Sequence, residues 1–316
     1  LGYWKPSFDL SNLASISQAT LKKFGGNDYS YLWTKRNFQL LSHLFKLINE
    51  LSEPYKKIFI FAFLQTLHLT TKMCSVRGEK VNRPLSASWG RPAYMALSKF
   101  MEQNPLIQFD RALNGNSGVI KALQSKDIHI SKNYDITHEW SANIDSLVIN
   151  DNFLNVKNLP EIDFIITDPP YGSTIQYGEL SLIWNLWLVK AYPEYKINLD
   201  DEIIINKKKS ETKYAEDLLK IFKKSYDILK DNGKMIFTFN SNKKEDWLIV
   251  KYVLENIDFN IVNVHFQMNK RSSEANVGAK NGMAISDYYI VLQKTDQLQN
   301  KSIILNQLRE MIIENG

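Results

Sequence analysis

Asp163-Phe164-Ile165-Ile166-Thr167-Asp168-Pro169-Pro170-Tyr171-Gly172 is the stretch whose reading decides the fold. Its apolar part, Phe164-Ile165-Ile166, predicts the end of a buried strand, and the residues after it break the chain sharply at the strand's C-terminal end. Ligands of open α/β sheets bind at that end. Consecutive prolines remove two N–H donors and fix φ twice, so the Asp168 carboxylate and the Pro169 carbonyl are held as acceptors with Tyr171 beside them. Two acceptors and an aromatic face suit a planar amine.

The chemistry that needs such a grip is methylation of an exocyclic amino group on a base. The nitrogen lone pair is delocalised into the ring, and hydrogen bonds from its two protons to Asp168 Oδ and the Pro169 carbonyl favour a pyramidal, nucleophilic nitrogen. Tyr171 is expected to stack on the extruded base, a contact worth about 1–3 kcal/mol. Asp168-Pro169-Pro170-Tyr171 resembles the catalytic motif of S-adenosylmethionine-dependent amino-methyltransferases of DNA. The resemblance implies that Asp168, Pro169, Pro170 and Tyr171 are the catalytic set and that S-adenosylmethionine is the methyl donor. The Asp form of the motif is commonest among adenine-N6 enzymes, whereas Asn-Pro-Pro-Tyr relatives methylate cytosine or protein glutamine.

A chain of 316 residues is long enough for one large or two ordinary domains. Its net charge of +5 includes basic clusters at Lys207-Lys208-Lys209, Lys243-Lys244 and Lys270-Arg271, the direction a phosphate-backbone partner requires, although each cluster alone also reads as solvated surface. The single cysteine, Cys74, excludes a disulfide framework and a cysteine zinc site and suits a reducing cytoplasm. No signal-peptide pattern opens the chain, and no apolar run approaches the roughly 20 residues of a membrane span. The first residue is Leu1 rather than Met, which points to residues upstream. His129 and His138 lack metal-ligand spacing and read as structural, so no metal is expected.

Taken in order, residues 1–28 are polar and mixed up to the break at Gly25-Gly26-Asn27-Asp28. Leu40, Leu41, Leu44, Phe45, Leu47, Ile48 and Leu51 then recur at helical spacing, with Thr34 as N-cap. Leu32-Trp33-Thr34 is similar to the aromatic segment that opens such a helix in adenine methyltransferases, which implies that Trp33 and Thr34 meet the cofactor. A free helix N-terminus there favours its carboxylate. Residues 55–72 predict a core helix, 73–92 a long basic loop that either grips nucleic acid or packs through Trp89 and Pro92, and 94–101 a helix. Asp145-Ser146-Leu147-Val148-Ile149 predicts a strand, and Asn150 and Asp151 at its end, together with Asp168, are expected cofactor contacts. Residues 173–178 predict a loop over the site, with Tyr177 as a DNA contact, before an apolar helix whose Trp184 and Trp187 read as core. The polar segment 192–212 suits a target-recognition loop, with Lys207, Lys208 and Lys209 on DNA. An amphipathic helix over 214–230 ends at Asp231-Asn232-Gly233. The strand 235–239, the helix 245–255 and the strand 260–266 follow. A polar loop over 267–283 carries Lys270 and Arg271 as DNA contacts, the last strand covers 288–292, and 297–316 predicts a peripheral helix.

The predicted fold class is therefore α/β, a Rossmann-like methyltransferase sheet in at least its target-base half, with a helical N-terminal region. The expected regions are 1–139, mainly helical; 140–295, catalytic; and 296–316, a C-terminal helix. A strand ending in a glycine-rich cofactor loop is missing: Gly25-Gly26 lacks the context, and Asn114-Gly115-Asn116-Ser117-Gly118 follows a poor strand. From about 28 to 294 the chain resembles the C-terminal half of large adenine-specific DNA methylases. The likeness is carried by Leu32 to Leu41, Trp89-Gly90-Arg91-Pro92-Ala93, the Asp-Pro-Pro-Tyr motif, Tyr177 to Trp184, Val277-Gly278-Ala279-Lys280 and Ile285-Ser286-Asp287-Tyr288. That resemblance implies an upstream segment or a second chain carrying the glycine loop, and duplex DNA, from which the base flips, as substrate. The alternatives are a cytosine-N4, RNA or protein-glutamine methyltransferase, or a catalytically silent DNA-binding specificity subunit.

Overall fold

The computed structural model describes residues 3–76, 85–86, 93–125, 134–135, 146–149, 151–241, 243–268, 286–296, 305–306 and 310. Contacts divide the chain into two compact units, residues 1–130 with 175–202, and residues 131–174 with 203–316.

The first unit is helical. Ser17 caps α1 (Gln18–Phe24), which ends at Gly25 in the left-handed region, φ 100°. Thr34 accepts the Asn37 N–H to open α2 (Lys35–Asn49), as its place in the sequence predicts. The apolar run becomes α3 (Tyr55–Leu69). The short strands β1 (Cys74–Ser75) and β2 (Leu85–Ser86) pair antiparallel, and α4 (Pro105–Asn114) and α5 (Val119–Leu123) follow, so a helix rather than a strand precedes the Asn114 to Gly118 glycines. Residues 94–101 do not form the predicted helix. Tyr94 is buried, its N–H donates to the Ser15 carbonyl at 2.9 Å and its hydroxyl to the Glu179 carbonyl at 2.8 Å, so tertiary bonds override local propensity.

The chain returns to this unit in α6 (Tyr177–Ala191), which starts before the predicted loop has ended. The Glu202 carboxylate accepts the Gly178 N–H at 3.1 Å and satisfies the first turn. Trp187 sits at the centre of the core, with Phe45 and Phe63 each at 5.1 Å between ring centroids and Phe38 at 5.9 Å. Its indole donates to the Tyr29 hydroxyl at 2.9 Å, which donates onward to the Ile183 carbonyl. Cys74 is buried, and burial pushes its thiol up to about 11.

In the second unit, β3 (Tyr134–Asp135) and β4 (Ser146–Leu147) pair parallel, outside the main sheet. β4 is what the described residues show of the strand predicted at 145–149. The main sheet is ordered β5 (Ile162–Thr167), β6 (Leu229–Phe239), β8 (Ser286–Lys294), β7 (Phe259–Met268). β5 runs parallel to β6, while β8 is antiparallel to both its neighbours, β6 and β7. Ser210 caps α7 (Glu211–Ile228), and β6 follows it directly. Asp231-Asn232-Gly233 is therefore not a helix stop but an excursion inside β6, between the partners of Ile162 and Phe164, with Asn232 at φ 63°. With α8 (Lys244–Glu255), α7 packs Tyr214, Leu218, Phe222, Val250 and Val253 against Met235, Phe237, Phe239, Ile290 and Leu292.

One expectation for β5 fails. It is an edge strand among the described residues, and Phe164 and Ile166 are 54% and 77% exposed because only the Ile165 face packs on the core. Lys270, Arg271, most of the basic loop and nearly all of the C-terminal segment lie outside the described residues. Among those described, no helix is long and apolar enough to cross a membrane, and no cluster of His, Cys, Asp or Glu could hold a metal.

Burial pushes the His68 imidazole down to about 4. In the unfolded chain it titrates near 6.5, so the folded state carries the neutral ring's full advantage above that pH and loses it as pH falls toward 4, at about 1.4 kcal/mol per unit. Urea unfolding at pH 7 and pH 5 is expected to show wild type losing about 2 kcal/mol more than His68→Gln. Equal losses would refute this role.

Candidate active site

The chain leaves β5 at Thr167, opposite Phe237 of β6, so Asp168 emerges beside the C-terminal end of a parallel neighbour. Thr238, one residue before the end of β6, shares the partly exposed face of that strand with Ile236. Its hydroxyl donates to Asp168 Oδ1. The Tyr171 hydroxyl lies 2.5 Å from the same oxygen and 3.2 Å from Thr238 Oγ1. Burial, and then the Asp168 carboxylate, hold the Tyr171 phenol well above its ordinary value, so it stays a donor at neutral pH. The ring is half-buried and set edge-on to Phe239 at 5.1 Å between centroids. Asp168 itself is exposed.

The two prolines are fixed from behind. Tyr214 of α7 is fully buried, and its hydroxyl donates to the Pro170 carbonyl at 2.5 Å while accepting the Gly172 N–H at 3.4 Å. Burial pushes this phenol up to about 12, which keeps its proton in place. Among the described residues no group donates to the Pro169 carbonyl, the acceptor the sequence singles out. Gly172 sits at φ 57°, and a Cβ there would lie 2.4 Å from Asp246 Oδ1. Asp246, in the first turn of α8, is buried and accepts the Ser241 hydroxyl at 2.6 Å. The motif thus packs against a buried carboxylate where only a hydrogen fits.

Two further bonds extend the site. Lys243 Nζ donates to Ser173 Oγ at 3.0 Å, and the Ile205 N–H donates to the Gly172 carbonyl at 3.1 Å. Ile205 leads straight into a turn built by Asn206, whose Oδ1 accepts the Lys208 and Lys209 N–H groups at 2.9 and 3.1 Å. Lys207 and Lys208 are exposed. These lysines and the motif therefore lie in one unit and are linked through two residues of backbone.

The remaining predicted residues are more scattered. Asp151 is exposed in the second unit, and Asn150 lies outside the described residues. In the first unit Tyr177 opens α6 and is 51% exposed, while Trp33 is core, its indole donating to the Leu67 carbonyl at 3.0 Å. The start of α2 already holds a carboxylate: Thr34 Oγ1 donates to Glu102 at 2.5 Å and Arg36 pairs with it at 2.6 Å. Tyr214, Thr238 and Asp246 were missed. Thr238 had a signal, a hydroxyl at the end of an otherwise apolar strand. Tyr214 and Asp246 had none, since each reads as an ordinary helical residue.

Residues 162–312 match the family model described as DNA methylase, of the N6 and N4 amino-methyltransferases. No curated protein matches the chain. Among solved structures, PvuII DNA methyltransferase (cytosine-N4-specific) is 13% identical, with 55% of each chain covered and a TM-score of 0.32. A methyltransferase homolog protein from Pyrococcus horikoshii is 16% identical, with 47% of this chain and 45% of that one covered and a TM-score of 0.26. The chain spans about half the length of these structures.

Gly172→Ala is expected to destabilise the second unit by about 2 kcal/mol, from left-handed strain together with the clash against Asp246. Shortening the opposing side chain in Gly172→Ala/Asp246→Ser should recover part of the loss. Thermal unfolding of both variants checks this, and a Gly172→Ala protein as stable as wild type would contradict the packing described.

Proposed function

We propose, proceeding from the DNA methylase match of residues 162–312, that this chain holds the exocyclic amine of a flipped DNA base for methylation. The observation that carries the reading is the exposed Asp168 next to a Pro169 carbonyl that no described residue donates to, at the C-terminal end of a strand paired in parallel. An amino group between them donates one proton to each acceptor, which draws its lone pair out of ring conjugation. Tyr171, anchored through its hydroxyl, offers the remaining ring face for stacking. The exposed Lys207 and Lys208, tied to the motif through Ile205, supply positive charge for the backbone phosphates. The proposed target is adenine N6, on the Asp form of the motif.

S-adenosylmethionine, when bound, supplies an electrophilic methyl group. In the first unit, Thr34 and Arg36 hold the Glu102 carboxylate, the kind of group that its methionine end carries. The glycine-rich remainder of such a site is proposed to come from an upstream segment or a second chain. The exposed Phe164 and Ile166 support that reading, since a strand paired in parallel normally has both faces covered and no described residue covers this one. This chain's part in catalysis is positioning and electrostatics.

Methyl incorporation into duplex DNA, RNA and protein, followed by nucleoside analysis, separates the substrates. N6-methyladenine in duplex DNA is expected, with Asp168→Ala lowering incorporation at least about a hundredfold while leaving folding intact. N4-methylcytosine would redirect the target, and full activity of Asp168→Ala would overturn the assignment.

A further inference from the structure

We infer that Thr238 is a positioning residue for Asp168, an inference that rests on the amine-holding role proposed above. A carboxylate accepts through two oxygens, and which of them meets a ligand depends on rotation about the bond that carries them. Asp168 is an exposed residue at the start of a loop, so the turn alone does not set that rotation. Two hydroxyls do. Thr238 donates to Oδ1, and Tyr171 reaches the same atom at 2.5 Å. Oδ1 is thereby occupied, and Oδ2 is left for the amine.

The two hydroxyls are not equivalent. Tyr171 lies on the same turn as Asp168, three residues away, and shares whatever position that turn takes. Thr238 lies on β6, between the pairs Phe237↔Ile290 and Phe239↔Tyr288, with its own partner Tyr289 on β8. A β-branched side chain on a paired strand has few rotamers to choose from. Thr238 therefore transmits the position of the sheet to the carboxylate. Valine keeps the shape and the β preference of threonine while removing the donor, so the hydroxyl can be tested apart from packing. Serine restores the donor with more freedom.

The test is steady-state methyl transfer to duplex DNA by wild type, Thr238→Val, Thr238→Ser and Asp168→Ala, together with crystal structures of wild type and Thr238→Val. Thr238→Val is expected to lower kcat by on the order of tenfold to a hundredfold, with KM for DNA and the unfolding temperature nearly unchanged, and Thr238→Ser is expected to recover most of the loss. In the crystal structures the carboxylate is expected to have turned away from its wild-type orientation. A Thr238→Val protein with wild-type kcat, or with the Asp168 carboxylate oriented as before, overturns the inference while leaving the amine-holding role intact. Full activity of Asp168→Ala overturns that role itself. Should the chain by itself transfer no methyl group, the carboxylate orientation alone decides the role of Thr238.

Discussion

The hydrogen bond from the buried Tyr214 hydroxyl to the Pro170 carbonyl is the constraint on which the rest of the site depends. Two prolines in a row cannot donate, so a turn built on them must be held by its carbonyls or not at all. Tyr214 takes one carbonyl and, through its own oxygen, the Gly172 N–H two residues later, which fixes both ends of the Pro170-Tyr171-Gly172 segment from one point in the core. Ile205 then takes the Gly172 carbonyl. Among the described residues the Pro169 carbonyl is left without a donor, and Asp168 beside it in sequence is exposed.

The same economy recurs in the first unit, where carboxylates accept from donors, backbone and side-chain, at the ends of other segments. Glu179 accepts the Ala14 and Ser15 N–H groups at 2.9 and 2.7 Å, Glu202 takes Gly178, and Glu102 takes Thr34 and Arg36. Each joins segments far apart in sequence, which is how a unit built from 1–130 and 175–202 holds together around Trp187. α6 belongs to this helical unit although the sheet strands β5 and β6 flank it in sequence.

Much of the fold was legible in the chain. Periodicity located α2 and α7, and apolar runs of the right length located α3 and the strands of the main sheet, because a buried face must be apolar along its element. The failures share a cause. Residues 94–101 read as helix yet stay non-helical, with Tyr94 bonded to Ser15 and Glu179, and Asp231-Asn232-Gly233 reads as a helix stop yet sits inside β6. In each, bonds from outside the local segment outweighed a propensity worth about a few tenths of a kcal/mol per residue. Phe164 and Ile166 failed differently: hydrophobicity predicts that a side chain prefers cover, not that cover is present.

The sequence by itself determined the class of sheet, the position of the Asp168 to Gly172 turn at a strand end, and the chemistry of its acceptors, because proline geometry, carboxylate charge and apolar period are properties of the residues. Only the tertiary structure decided which groups hold that turn. Tyr214, Thr238 and Asp246 lie 42 to 78 positions from Asp168 or Gly172 along the chain, and nothing local marks them as its partners. They reach the motif because β6 pairs in parallel with β5 while α7 and α8 pack on the sheet, an arrangement set by long-range burial rather than by any short run of residues.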